Sequence, residues 1–221
     1  MKIISDGWAW ILVPLALGGV YWALAKQFGL PGGVICPVAA GCVIFSLFMV
    51  WFFRNPERIA PTGEGLIVSG AEGTVRAVET MPPDEEFFDG RRPVRVSVFL
   101  SPLNVHVNRC PLAGTVRRLA YREGRHLLTM DERSAFYNQH SIILIDGDDG
   151  TRCLCKQITG PIVRRVVYWL AERQHVERGA ILGMMKFGSR MDVWLPADEV
   201  DILVRPGDKV RAGETIIAKR K

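Results

Sequence analysis

Two long uncharged stretches dominate the start of the chain. Neither Trp8–Ala25 nor Val34–Phe53 contains Asp, Glu, Lys or Arg. As helices they would be roughly 27 and 30 Å long, which matches the hydrocarbon thickness of a bilayer. Between them, Pro31-Gly32-Gly33 is a strong turn signal. The pattern predicts a membrane-anchoring helical hairpin over residues 1–53, and it is compatible either with full transmembrane spans or with a shallow re-entrant pair.

From residue 54 onward the pattern changes to short apolar alternations separated by turn residues, which is typical of strands. The polar, irregular segment Glu123–Tyr137 is expected to form a loop or one short helix. We therefore expect residues 54–221 to form one mainly β, β-rich α+β catalytic domain. Its predicted strands are Leu66–Val68, Gly73–Val78, Val94–Leu100, Gly114–Ala120, Ser141–Ile145 and Arg152–Ile158.

The last third of the chain carries an internal repeat, in which apolar and glycine positions recur 34 residues further along. Two such hairpin units, related by approximate two-fold symmetry, predict a lipoyl/biotinyl-like swapped-hairpin sandwich. This similarity predicts a fold and leaves function open. The corresponding positions are Val166, Tyr168, Leu170, Val176, Gly179 and Leu182 in the first copy and Val200, Ile202, Val204, Val210, Gly213 and Ile216 in the second.

The charge distribution favours a membrane surface over a nucleic acid. Residues 54–221 hold 26 Lys and Arg against 22 Asp and Glu, a net charge of +4, with no dense basic cluster interleaved with aromatics. Because Arg54 and Arg58 follow the second apolar stretch, the positive-inside rule predicts a cytoplasmic-facing domain on the inner membrane.

The five cysteines do not suggest a disulfide framework or a metal site. Cys153 and Cys155 lie two apart in a predicted strand, so they share one face and are poorly placed to bond each other. The spacing of the cysteines indicates a reducing compartment, and no further metal ligands lie nearby.

The candidate chemistry lies between the two copies of the repeat, at Gly188-Ser189. The segment Met184–Val193 resembles the processing site of phosphatidylserine decarboxylases, in particular the short, archaetidylserine decarboxylase-like subgroup in which arginine follows the serine. The resemblance covers nearly everything from about residue 51 to the end. It extends to the ordered segments Phe53–Arg58, Ser101–Arg109, Gly160–Arg165 and Arg205–Val210.

The resemblance implies self-cleavage between Gly188 and Ser189 and conversion of Ser189 into a covalent pyruvoyl cofactor. Glycine has no Cβ to obstruct attack by the Ser189 hydroxyl on the Gly188 carbonyl, so the residue types suit the chemistry. The implied activity is decarboxylation of phosphatidylserine, or a close serine phospholipid, to phosphatidylethanolamine at the membrane. The implied partners are the phospholipid and the two cleaved chains as a heterodimer, and homo-oligomers are compatible with the family.

Three polar residues are expected to assist Ser189. His106 is the candidate base, because imidazole titrates near neutral pH. Glu72, in Ala71-Glu72-Gly73, stands where the family usually has aspartate, and it is the candidate acid that orients His106. Asp192 is the alternative acid, although in a strand it would face away from Ser189.

Arg109 and Arg190 are the candidates for binding the anionic phospholipid headgroup, because each lies next to one of the two motifs. Solvated surface charge is an equally good interpretation of both.

Two interpretations without catalysis compete with the decarboxylase. Met185-Lys186 in a swapped-hairpin fold would suit a membrane-tethered biotinyl or lipoyl-like carrier, but this leaves the His106 motif unexplained. A membrane-anchored adaptor would require long helical heptads, and the sequence has none.

Overall fold

The computed structural model describes residues 2–128, 133–160, 166–186 and 189–221, with Ser189 described by its backbone. The chain divides into two compact units, Met1–Glu57 and Arg58–Lys221. This division falls a few residues after the boundary expected between residues 53 and 54.

The first unit is a helical hairpin. Helices α1 (Trp8–Gln27) and α2 (Gly32–Phe52) are long and apolar enough to cross a membrane, as predicted, and a short pair of strands, β1 (Lys2–Ile3) and β2 (Arg54–Asn55), joins the hairpin ends. The helices approach closely at Gly18, where an added Cβ would lie 2.8 Å from Cys42 Cβ.

The second unit is mainly β, as the alternating pattern predicts. Each of the six predicted strands is present with ends within two residues of those expected. The expected short helix is α3 (Ser134–Tyr137), and residues 129–132 of the same segment lie outside the described residues. The strands are β3 (Leu66–Val68), β4 (Gly73–Thr80), β5 (Pro93–Leu100), β6 (Val107–Arg109), β7 (Gly114–Arg122), β8 (His140–Gly147), β9 (Arg152–Ile158), β10 (Val166–Tyr168), β11 (His175–Val176), β12 (Ile181–Met185), β13 (Ser189–Pro196), β14 (Val200–Ile202), β15 (Lys209–Val210) and β16 (Ile216–Arg220).

The strands form a curled half-barrel sheet of eight strands in the order β11-β7-β8-β9-β13-β5-β4-β15, with two three-stranded sheets, β10-β12-β6 and β14-β16-β3. The main core includes alternate residues of the central strands, such as Val96, Val98, Ile143, Cys155 and Val193, none more than 1% exposed. A smaller aromatic cluster around Phe88 and Trp194 covers the other face.

This topology is two-fold pseudo-symmetric. The eight-stranded sheet maps onto itself in reverse order, and the two three-stranded sheets map onto each other, when β3 is exchanged with β6, β4 with β7, β5 with β8, β13 with β9, β14 with β10, β15 with β11 and β16 with β12. The β-bulges correspond as well: the register shift at Val75/Ala77 matches the one at Val116/Arg118. One half is therefore continuous, from β6 to β12, and is inserted between β5 and β13 of the other half.

The internal repeat seen in the sequence is the C-terminal part of this symmetry, with one correction. The first two strand pairs keep the offset of 34 residues, but β12 begins at Ile181 and β16 at Ile216, so the last pair is Ile181 with Ile216 and not Leu182 with Ile216. The second copy has one extra residue after its glycine turn at Gly213. The lipoyl-like assembly of the two copies stays a prediction.

Candidate active site

The chain crosses twice between the pseudo-symmetric halves, and the described residues that flank the two crossovers contact each other. One crossover is the loop 101–106 that follows β5, and the other is the segment 186–188 that precedes β13. The backbone N–H of Met185 donates to the carbonyl oxygen of His106 at 3.1 Å, and Ser189 pairs with Leu100 in the β13–β5 register. Three residues of chain therefore connect a point bonded to His106 with a point paired to the end of β5.

His106 is fully buried, and its ring is oriented by the turn that precedes it. Its Nδ1 lies 2.9 Å from the carbonyl oxygen of Asn104. Because a carbonyl oxygen only accepts hydrogen bonds, Nδ1 donates the hydrogen bond to Asn104, and Nε2 is the nitrogen that would act as a base. The turn itself is fixed by Asn104 Oδ1, which accepts from the backbone N–H of Ser101 at 2.9 Å and from its hydroxyl at 2.8 Å.

Glu72 lies at the same loop, at the start of the turn into β4. Its Oε1 accepts a hydrogen bond from the backbone N–H of Val105 at 3.1 Å, and its Oε2 pairs with the guanidinium of Arg58. Arg58 also donates to Glu214 at 2.8 Å, and the side chains of Arg58 and Glu72 are only 10% and 16% exposed. The structure thus brings Glu72 to the His106 loop, where these contacts hold the backbone next to His106.

Of the predicted processing site Gly188-Ser189, the structure describes only the serine. Ser189 is the first residue of β13, a central strand hydrogen bonded to β5 on one side and β9 on the other. Gly188 lies outside the described residues, as do residues 161–165 of the family-like segment Gly160–Arg165.

Arg190 is not at a lipid-facing surface. It is 3% exposed, its Nε donates to Asp192 Oδ1 at 2.7 Å, and its Nη2 donates to Ser97 Oγ at 2.6 Å. Ser97 in turn donates to Asp192 Oδ1 at 2.6 Å, and Asp192 is fully buried. Both charged side chains are therefore engaged in a closed internal network, so the alternative role of Asp192 as orienting acid has no geometric support here.

Arg109 is also buried, at 8% exposure, which excludes the expectation of a solvated charge. Its Nη1 donates to the carbonyl oxygen of Gly179 at 2.9 Å, in the glycine turn of the first repeat copy. Burial, followed by the nearby positive charge of Arg58, lowers the pKa of Arg109. The structure places this guanidinium at the packing of the two glycine turns.

A cleft of about 460 Å³ opens beside the His106 loop. Its lining includes Glu72, Ser101 and Asn104 from the loop region, together with Lys209 and Arg211 from β15 and the residue after it. Sequence reasoning missed these two cations, because Lys209 lies in a segment that carries only the family resemblance and Arg211 follows that segment. Comparing the repeat copies gives the missing signal, since the first copy has His175 and Glu177 at the equivalent positions.

Two other histidines have different surroundings. His140 is 6% exposed at the start of β8, where it pairs with Ile158, the β9 partner of Arg190, and burial lowers its pKa. Exposed His175 pairs with Asp148 at 3.0 Å, which raises its pKa. Within the described ranges, no cluster of His, Cys, Asp and Glu could hold a metal ion. Cys153 and Cys155 are free thiols with their sulfur atoms 3.8 Å apart, and burial raises the pKa of the neighbouring Cys110 to about 12.

Comparison with known proteins identifies the family. The family model described as phosphatidylserine decarboxylase matches residues 45–218. A phosphatidylserine decarboxylase proenzyme of Symbiobacterium thermophilum is 40% identical over 221 residues, covering 98% of this chain and 95% of that protein. Proenzymes of the same name from Solibacter usitatus and Wolbachia pipientis wMel are 39% and 34% identical, covering 100% and 98% of this chain and 98% and 90% of those proteins.

These matches give no support to the carrier built on Lys186. They extend over β3 to β16, the part of the chain that holds His106, Glu72 and Ser189. On this evidence, the chain belongs to the phosphatidylserine decarboxylase family.

Proposed function

We propose that this protein is a self-processing, pyruvoyl-dependent enzyme that decarboxylates phosphatidylserine to phosphatidylethanolamine at a membrane surface. Family membership supports the reaction, and the proenzyme names of the relatives support processing. The single observation that carries the proposal is the pair of backbone contacts that fix both ends of segment 186–188, one at His106 and one at Leu100.

In the proposed processing reaction, Ser189 Oγ attacks the carbonyl carbon of Gly188 while Nε2 of His106 takes the hydroxyl proton. The Gly188–Ser189 amide is replaced by an ester, and the freed nitrogen takes up a proton. A base then removes the α-proton of Ser189, and the Gly188 carboxylate leaves. The resulting dehydroalanine takes up water and releases ammonia, which leaves a pyruvoyl group at residue 189.

A pyruvoyl group at this position supplies an electrophilic carbonyl and an electron sink for loss of carbon dioxide. The residues present fit such a group. Position 189 begins a strand paired on both sides, and His106 is fully buried with its Nδ1–H held by the carbonyl oxygen of Asn104. After processing, Nε2 of His106 is suited to return a proton to the substrate carbon that loses carbon dioxide.

The two products are expected to remain together as a heterodimer. The C-terminal fragment, residues 189–221, contains β13, β15 and β16. These strands pair with β5 and β9, with β4, and with β3, all from the N-terminal fragment. Separation would expose a central strand and its buried apolar face, so cleavage of one bond does not release the fragment. A swapped-hairpin origin for these interleaved halves belongs to the same proposal.

The helical hairpin gives the proposed enzyme access to its substrate. Both helices have the length and composition to cross a bilayer, and most of their large apolar side chains are exposed in the structure. Arg54 follows α2, and with Arg58 it supports an orientation with the catalytic unit on the cytoplasmic side of the inner membrane.

Decarboxylation of phosphatidylserine by the purified full chain in mixed micelles tests the proposal. The parent protein should form phosphatidylethanolamine and release carbon dioxide, whereas Ser189→Ala should stay whole and inactive. Thr151→Ala is a matched control, because Gly150-Thr151 occupies the equivalent turn before β9 in the other half. Activity in Ser189→Ala, or none in the parent, would contradict the proposal.

A further inference from the structure

The proposed substrate carries a phosphodiester, and the two arginines expected to bind it are already hydrogen bonded to other groups of the protein. Arg109 donates to the Gly179 carbonyl, and Arg190 is held by Asp192 and Ser97 inside the sheet. Recruiting Arg190 to a ligand would leave Asp192 buried without its counter-ion, which is strongly unfavourable for such pairs. We therefore expect other cations near Ser189 to be ligands for the phosphate of the headgroup.

The cleft beside the His106 loop is at the right end of the sheet. Ser189 pairs with Leu100, the neighbouring Phe99 pairs with Thr74, and Thr74 pairs with Lys209. Adjacent strands are ~4.8 Å apart, so the Lys209 backbone lies roughly 14 Å from that of Ser189. The cleft's volume of about 460 Å³ falls in the range of small-molecule sites.

The charges lining this cleft are available to an anion. Among the residues that the structure describes, Lys209 has no salt-bridge partner. Arg211 Nη1 is 3.9 Å from Glu214, but that carboxylate is bound more closely by Arg58, and the Arg211 side chain is 72% exposed. Glu72 pairs with the same Arg58, whose single charge offsets one of these two carboxylates, so with Lys209 and Arg211 the five side chains carry a net charge of +1. The net charge around the cleft is therefore positive.

The pseudo-symmetric half provides an internal comparison. There the positions of Lys209 and Arg211 hold His175 and Glu177, and the position of Ser101 holds Asp148. His175 pairs with Asp148 at 3.0 Å, so the same backbone frame is built with an acidic lining. The fold therefore does not require cations at these positions, so Lys209 and Arg211 are not explained by folding alone.

From the cleft, its charges and this comparison, we propose that Lys209 and Arg211 form the subsite that binds the phosphate of the substrate headgroup. The inference rests on the proposed function for the identity of the substrate. In this subsite Arg211 supplies paired N–H donors to the phosphate oxygens and Lys209 a mobile positive charge. Ser101 and Asn104 place the same cleft against the loop that carries His106.

The test compares Lys209→Gln/Arg211→Gln with Arg205→Gln/Lys219→Gln, a control that removes two exposed cations from the same fragment. Each full chain is first checked by mass for cleavage after residue 188. In neutral-detergent micelles, the cleft variant should raise KM for phosphatidylserine by about 10- to 100-fold, with kcat changed less than ~3-fold. The control should match the parent. An unchanged KM in the cleft variant, or an equal rise in the control, would overturn the subsite.

Direct binding separates this inference from the proposed function. O-Phosphoserine and inorganic phosphate are titrated into the parent in neutral detergent, which removes any general attraction to an anionic lipid surface. Both should bind the parent and the control, and both should bind the cleft variant at least ~10-fold more weakly, whereas Lys209→Arg should retain binding. A parent that binds neither probe refutes the subsite even if it decarboxylates the lipid. A parent that binds both but never decarboxylates refutes the proposed function alone.

Discussion

Replacing Glu72 with glutamine distinguishes a positioning role from a direct catalytic one. The amide oxygen of the introduced side chain can still accept the hydrogen bond from Val105, but the charge attraction to Arg58 is lost. Because the pair is only 10% and 16% exposed, its loss is worth about 1–2 kcal/mol, between a surface pair and a charge-assisted hydrogen bond. If the whole loss falls on the position of His106, self-cleavage slows by about 5- to 30-fold.

A direct role would give a much larger effect. An acid that supports the imidazolium of His106 during proton transfer contributes on the order of 10²–10⁴ in rate, as in serine–histidine–acid triads. Glu72→Ala should lie between these cases, because it also leaves the buried Val105 N–H without its acceptor, which adds about 1–3 kcal/mol. Arg58→Gln should resemble Glu72→Gln, and combining the two should cost less than the sum of the single effects.

The assay is decay of uncut precursor after cell-free synthesis of the full chain into micelles, followed on gels. Glu214→Gln serves as the control, because it removes the second partner of Arg58 and leaves the Arg58–Glu72 pair in place. Slowing by about 10³-fold or more in Glu72→Gln would refute the positioning role and restore the triad. Parental rates in both Glu72→Gln and Glu72→Ala would show that the contact with Val105 has no part in processing.

Three further predictions concern stability of the full chain, measured by thermal melting in detergent. Asp192→Asn should cost about 3 kcal/mol, ~6–12 °C in Tm, and Arg190→Met/Asp192→Leu should recover most of it; a single variant that melts like the parent would contradict the buried network. Arg173 has φ 67° where the second repeat copy has Gly207 at φ 100°. Arg173→Gly should therefore stabilise the fold by up to ~1 kcal/mol, and Gly207→Ala should destabilise it by about as much. A less stable Arg173→Gly or a more stable Gly207→Ala would refute the backbone strain. Burial lowers the pKa of His140, so the unfolded chain binds a proton before the folded chain does and the stability falls as the pH drops below about 6.5. In His140→Asn the melting temperature should fall less steeply with decreasing pH, and an unchanged pH dependence would contradict this.

The strands of the β unit were predictable because local alternation of apolar residues determines which segments can bury one face of a sheet. Leu66–Val68 and Arg152–Ile158 have the same ends in sequence and structure. The repeat was also visible in the sequence, but the sequence alignment of its last pair of positions was wrong by one residue. An extra residue in the turn after Gly213 changes the offset without changing the pattern of apolar positions.

The partners of charged side chains were not predictable in the same way. Nearness in sequence suggested that Arg109 and Arg190 bind the substrate, but both are buried by contacts with residues that are distant in the sequence. Ser97, which binds Arg190, lies 93 residues away. The cleft cations Lys209 and Arg211 reach the His106 loop only because β15 pairs with β4, a contact that no local pattern indicates.

The intact mass of the purified chains tests self-processing at Gly188-Ser189. Two species are expected in equal amounts, residues 1–188 and residues 189–221. The smaller one should be lighter by one ammonia than a fragment with a free serine terminus, because it carries a pyruvoyl group. Ser189→Ala should give one uncut mass, and His106→Ala should accumulate precursor. A single uncut chain in the parent, or a 189–221 fragment with a free serine amine, would contradict self-processing at this site.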